Sequence, residues 1–271
     1  MRQFLLLMVL FGQFSVAISQ ISVVVPRSPN AADAAVADRK MWTSFGNPAN
    51  FAFAKSLEAG IEYQNRFMLK ELAFRSANFV LPTQLVNIAA QASYFGYAQY
   101  NEILAGIGFS RNFSDKFSIG VQFDYLSAFF AAQNQYRGAL FPQVGLNFQL
   151  SKNIHLGFST FNPFQTNIRS EYSEKRIPSV FSLGADFYFS PDVVARLQGD
   201  KEISSNFRFA AGVEYTMLNT LTLKVGAQYL QYIIPDIGFG VKFSNFSFTL
   251  NGEMHPALGL VTAAALKYRF L

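Results

Sequence analysis

The chain of 271 residues contains no cysteine, which excludes disulfides, thiolate metal sites and a cysteine nucleophile. Its two histidines, His155 and His255, stand far apart with no carboxylate at ligand spacing beside either. A metal centre and a histidine-based catalytic set are therefore not indicated. Charged residues make up only 14% and the net charge is +5; the basic residues are scattered, so no nucleic-acid surface is expected. Past the N-terminal end there is no run of about twenty apolar residues, the length a membrane helix needs. Gly106-x-Gly108 and Gly238-x-Gly240 lie inside alternating segments and do not precede helices, which argues against a nucleotide loop. No Gly-x-Ser-x-Gly elbow stands out. The sequence gives no reason to expect an enzyme, a catalytic residue or a cofactor.

Aromatic residues are abundant instead, with 31 Phe and 12 Tyr, and they recur at every second position. From Phe207, Phe209, Ala211, Val213 and Tyr215 the apolar row alternates with Arg208, Ala210, Gly212 and Glu214. After Met217 to Thr220 the pattern resumes, with Leu221, Leu223, Val225, Ala227 and Tyr229 against Thr222, Lys224, Gly226 and Gln228. Period two means strands with two different faces, here a hairpin with matched faces. A soluble sandwich would crowd its outer face with charge, whereas this second face carries glycine and alanine among sparse charges. Large apolar residues facing lipid and small or polar ones facing a lumen are the signature of a transmembrane barrel. A chain that crosses a bilayer without a spanning helix must do so as a closed barrel.

The same alternation recurs at regular spacing and yields about 14 strands, an even number as bacterial barrels require. The cleanest is Phe117 to Tyr125, with Ser118, Gly120, Gln122 and Asp124 inside. Arg2 before the apolar run Phe4 to Phe11, followed by small residues, reads as a cleaved signal peptide over 1–19 and hence as export to the outer membrane. Residues 20–53 lack alternation and form a periplasmic or lumen-plugging segment in which Trp42, Phe45, Asn47 and Pro48 are the candidate plug residues. Residues 54–271 form the barrel, and the terminal strand Leu260 to Phe270 pairs with the first to close it. The fold class is thus an all-β, closed antiparallel transmembrane β-barrel with its N-terminal segment in or near the lumen. Connections after even-numbered strands are short, while Phe129 to Arg137 and Phe161 to Pro178 are long; this parity places Gln133 and Gln165 outside the cell and Asp115 and Asn219 in the periplasm.

Nine charges fall on the inward positions: Glu58, Glu62, Asp124, Asp186, Arg196, Arg208, Glu214, Lys224 and Lys242. Both signs occupy neighbouring strands, which fits mutual pairing in a filled lumen better than a charge-selective pore.

The segment from Arg176, RIPSVFSLGADFYF, running on through the Gly-Val-Glu-Tyr hairpin, resembles the PorV/PorQ-type outer-membrane proteins of Bacteroidetes, relatives of the FadL-type fatty-acid channels. Asn47-Pro48-Ala49 and Ile237-Gly238-Phe239-Gly240-Val241 are similar to further motifs of those families. The resemblance implies a fourteen-stranded barrel with a segment in or near the lumen. It also implies either of two roles: a non-enzymatic accessory of type IX secretion and surface-protein attachment, or a FadL-like channel for hydrophobic small molecules. The chain departs from the family in being short, without a long substrate-capturing loop. Outer-membrane lipid is the expected partner in both cases, with secretion-system or surface proteins in the first and a hydrophobic ligand in the second.

Overall fold

Alternating side chains leave each strand one apolar face, and in lipid every backbone N–H and C=O must also find a partner. A closed ladder meets both demands. The computed structural model describes residues 28, 30–39, 46–114, 116–131, 135–169 and 174–270. The first seven strands are β1 (Glu58–Arg66), β2 (Leu69–Leu81), β3 (Asn87–Tyr97), β4 (Tyr100–Asn112), β5 (Phe117–Phe130), β6 (Gln135–Ser151) and β7 (Ile154–Phe161). An excursion with two short strands follows, β8 (Asn167–Arg169) and β9 (Glu174–Arg176). The chain then re-enters the wall as β10 (Val180–Tyr188), β11 (Val193–Glu202), β12 (Phe207–Met217), β13 (Leu221–Tyr229), β14 (Ile233–Phe243), β15 (Phe246–His255) and β16 (Gly259–Arg269). Every strand except β8 and β9 belongs to one closed antiparallel barrel of fourteen strands, and β16 pairs with β1 from Glu58↔Arg269 to Arg66↔Val261.

The outer face carries the large apolar side chains; Leu183, Phe209, Val225 and Ile237 are each more than half exposed and would lie in lipid. Aromatic pairs cluster near the two ends, Phe246–Tyr268 and Tyr268–Phe270 at the end holding the C-terminus and Phe129–Tyr136 at the other. Such girdles mark the level of the headgroups.

Two expectations about loops need correction. Phe129 to Arg137 is not a long connection, because β5 runs to Phe130 and β6 starts at Gln135. Residues 135–138 are exposed on both faces, so a strand that projects beyond the lipid loses its alternation and reads as loop. At the end of the barrel where β8 and β9 lie, only the connection from β7 to β10 is long. The predicted plug residues Trp42 and Phe45, the loop residue Gln133, the turn residue Asp115 and the segment 1–19 lie outside the described residues.

Candidate lumen site

The described residues of the N-terminal segment, 30–39 and 46–54, lie in the lumen, and glycines on the wall make room for them. A Cβ at Gly120 would collide with the Pro48 carbonyl, one at Gly145 with the Asn47 side chain and one at Gly157 with the Val36 carbonyl. At Gly226 it would approach Ala32 Cβ to 2.8 Å. These inward glycines are grooves in which the backbone of the segment rests.

The segment is held in two chemically different halves. Around the 3-10 turn Asn50–Phe53 the wall side chains that make the contacts are neutral. Asn147 Nδ2 donates to Ala37 O at 3.1 Å and to Asn50 Oδ1 at 3.0 Å, and its Oδ1 accepts from Arg39 Nε at 2.7 Å. Asn87 Nδ2 donates to Phe51 O and Ala54 O, and Ser118 Oγ to Ala49 O. Asn47 Nδ2 links Val36 O at 2.6 Å with Leu146 O of the wall at 3.0 Å. These side-chain amides satisfy backbone carbonyls that would otherwise be buried without partners.

Around the 3-10 turn Ala31–Asp33 the contacts are charged. Ala31 N–H donates to Glu214 at 3.0 Å, Ala32 N–H to Asp236 at 2.9 Å, and the N–H groups of Ala35 and Val36 share Gln198 Oε1. Arg196 contacts Asp186, reaches Glu214 at 3.2 Å and lies 3.5 Å from Asp38 of the segment. Arg208 pairs with Asp200 at 2.7 Å and with Asp33 at 3.2 Å. Ala32 and Asp33 both have positive φ, 54° and 55°, a conformation that costs a non-glycine residue of order 1 kcal/mol or more. The turn keeps it because partners on β12 and β14 hold it from outside.

Of the nine sequence-picked charges, eight are buried on the inner wall. Arg196, Asp186, Glu214 and Arg208 belong to the seat just described, and Lys224 lies opposite Glu214 across β12 and β13. Glu58 sits at the seam, 2.6 Å from Lys267 and 3.0 Å from Arg269. Asp124 accepts from Gln122 at 2.7 Å, and neither carboxylate oxygen of Glu62 has a hydrogen-bond partner. Lys242 is the exception to the expected lumen-facing set: it shares the inward parity but is exposed, because β14 ends at Phe243 and its last turn of pleat projects past the filled part of the lumen. Asn47 and Pro48 are buried in the plug.

Sequence reasoning missed the neutral clamps Asn87, Asn147 and Gln198, and the acids Asp200 and Asp236. All stand at inward positions of alternating strands, so their parity was the available signal.

At the end of the barrel that carries the β8–β9 excursion the lumen changes character. Leu104, Leu126, Ala128, Phe141 and Phe161 form an apolar cluster completed by Ile168 and Ile177 of the excursion, with the Phe141 and Phe161 rings edge to face at 4.9 Å. The excursion is a flap pinned at its base by Asn162, whose Nδ2 donates to Thr166 O and Ile177 O. From the middle of β9, Lys175 contacts the Glu102 carboxylate and the Tyr100 hydroxyl of β4. Among the described residues no group of three or more His, Asp or Glu is placed to hold a metal ion.

No family model matches the sequence, and no curated protein matches it either. Solved structures do. A FadL homologue of Pseudomonas aeruginosa superposes with a TM-score of 0.68 at 11% identity, covering 91% of this chain and 99% of that one. The toluene transporter TodX of Pseudomonas putida gives 0.63 at 12% identity over 88% and 95%. The monoaromatic hydrocarbon channel CymD gives 0.60 at 12% identity over 83% and 91%. At such identities the likeness concerns the fold alone, a closed antiparallel β-barrel.

Proposed function

We propose that this chain is an outer-membrane passage for a hydrophobic small molecule, stoppered by the N-terminal segment 20–53 and exported through a signal peptide over 1–19. The observation that carries the reading is the apolar cluster Leu104, Leu126, Phe141 and Phe161 on the inner wall, closed over by Ile168 and Ile177 of the β8–β9 excursion. Inward positions facing a wet or salt-bridged lumen have no need of large apolar side chains, and an apolar patch at one end of the lumen suits an apolar ligand. The fold neighbours described as a toluene transporter and a monoaromatic hydrocarbon channel support the same reading. The flap then faces the outside and the chain termini face the periplasm.

A second reading, an accessory of type IX secretion or surface-protein attachment, draws on the sequence resemblance and on the occupied lumen, which a docking barrel can keep filled. One pair of strains separates the two. Cells with and without the gene are compared for uptake of radiolabelled toluene and for secretion of surface proteins. Reduced uptake with unchanged secretion is the expected result; lost secretion with unchanged uptake reverses the ranking.

A further inference from the structure

The charges of this protein are sorted by location. Of its 17 acidic residues eleven are buried among the described residues, whereas only four of its 22 basic residues are. The buried set therefore holds seven more acidic than basic residues in a chain whose overall charge is +5. A lumen lined by more acidic than basic groups disfavours an added carboxylate and favours an uncharged or cationic group, since a like charge brought into a low-dielectric site is strongly opposed.

One of these carboxylates is also free to act. Glu62 is 4% exposed, and neither of its oxygens is hydrogen-bonded. Directly across the strand pair stands Ser76, whose Oγ is buried and equally without a partner. The charged groups that act on Glu62 are Asp33 of the plug and Arg66 at the far end of β1, of opposite sign, and Arg66 Nε donates to Gln64. The row through Glu62 is made of small side chains: Ser76 and Ser93 on one side, Ala265, Thr249 and Gly240 on the other. Among the described residues the two 3-10 turns of the plug pack on β3 to β6 and on β12 to β14 and not on the arc of the wall from β15 through β16 and β1 to β2. A buried carboxylate and hydroxyl with no partner are costly unless something supplies donors, and an ionisable residue inside a membrane span is a functional position by default.

We propose that Glu62 and Ser76 form a subsite for a primary ammonium group, and that the passage takes amphiphiles with an apolar body and a cationic head in preference to carboxylates. The proposal rests on the reading of this barrel as a passage for hydrophobic molecules. The ammonium would donate to both Glu62 oxygens and to Ser76 Oγ, and its apolar body would lie along the small-residue arc.

The test uses three water-soluble probes of one size, 2-phenylethylammonium, 2-phenylethanol and phenylacetate, in equilibrium binding to the detergent-solubilised full chain at neutral pH. Charge-assisted hydrogen bonds of this kind favour the cation over the carboxylate by about tenfold or more. Glu62→Gln is expected to bring the ammonium down to the level of the alcohol without changing the alcohol's affinity. Ser76→Ala, a milder change that keeps the charge, is expected to lower ammonium affinity a few-fold and serves if Glu62→Gln does not fold, as judged by heat-modifiable gel mobility. Binding of all three probes with equal affinity, or an ammonium preference untouched by both variants, overturns the subsite while leaving the passage intact. Failure of every probe to bind overturns the passage itself.

Discussion

Asn147→Ala isolates the neutral half of the plug seat. Asn147 is fully buried, and its side chain bonds only to the segment: Ala37 O at 3.1 Å, Asn50 Oδ1 at 3.0 Å and Arg39 Nε at 2.7 Å. Truncation removes three hydrogen bonds whose net worth is about 1 kcal/mol each. The seated form should therefore lose about 3 kcal/mol, a factor of about a hundred in the ratio of seated to unseated plug. The barrel ladder is untouched, since Asn147 keeps its backbone pairing with Ser118 and Gly157. Native-state hydrogen exchange followed by mass spectrometry reads the difference. The amides of Ala49, Asn50, Ala52 and Ala54 are all bonded within the segment and exchange through its opening. Their protection should fall by about a hundredfold in Asn147→Ala, while peptides from β12 keep theirs. Unchanged protection over 46–54 in a correctly folded barrel would show that the plug is held elsewhere, and the account of the neutral clamp would be wrong.

Lys175→Met and Glu102→Gln should each loosen the flap, raising exchange over 174–176 several-fold, and the double variant should add little, because both remove the same contact. If the two effects add fully, Lys175 and Glu102 do not act as one latch. Single cysteines can be introduced into this cysteine-free chain at Gln165 and Asn219; on whole cells an impermeant maleimide should label the first and spare the second. Labelling at position 219 alone would invert the barrel in the membrane.

The barrel was legible because lipid imposes a strict rule. Wherever a strand crosses the bilayer its outer side chains must be apolar, so Phe117 to Tyr125 or Phe207 to Tyr215 reveal face and register together. Legibility ended where that rule stops. Gln135 to Gly138 projects into water and reads as loop, and the β8–β9 flap has three-residue strands too short for any period to show. The charges of the seat could be found by parity. Their sorting into Arg196 with Asp186, Glu214 and Asp38, and Arg208 with Asp200 and Asp33, could not, because a partner within the lumen is set by the height of the row and by a segment that has no periodicity. Asn47 and Pro48 were visible as unusual residues in a non-repeating stretch. That Gly120 and Gly145 exist to receive them appears only when the two backbones are brought together.

The two seat arginines differ from Asn147 in a way that decides what the plug means to the barrel. Asn147 has its side-chain partners on the plug, but Arg196 keeps Asp186 and Glu214 when Asp38 departs, and Arg208 keeps Asp200 and Gln228 when Asp33 departs. The two seat arginines are thus paired by the wall, and the plug contributes one extra carboxylate to each group. It follows that the barrel does not need the plug in order to fold. Asp33→Asn with Asp38→Asn should leave the urea midpoint of the barrel in detergent nearly unchanged while raising hydrogen exchange over 30–39. Arg196→Met, in contrast, leaves two wall carboxylates buried without their cation, and breaking such a pair from one side costs about 3–5 kcal/mol, so its midpoint should drop sharply. Should the double aspartate variant lose as much stability as Arg196→Met, the plug would be a structural part of the wall and could not act as a reversible stopper.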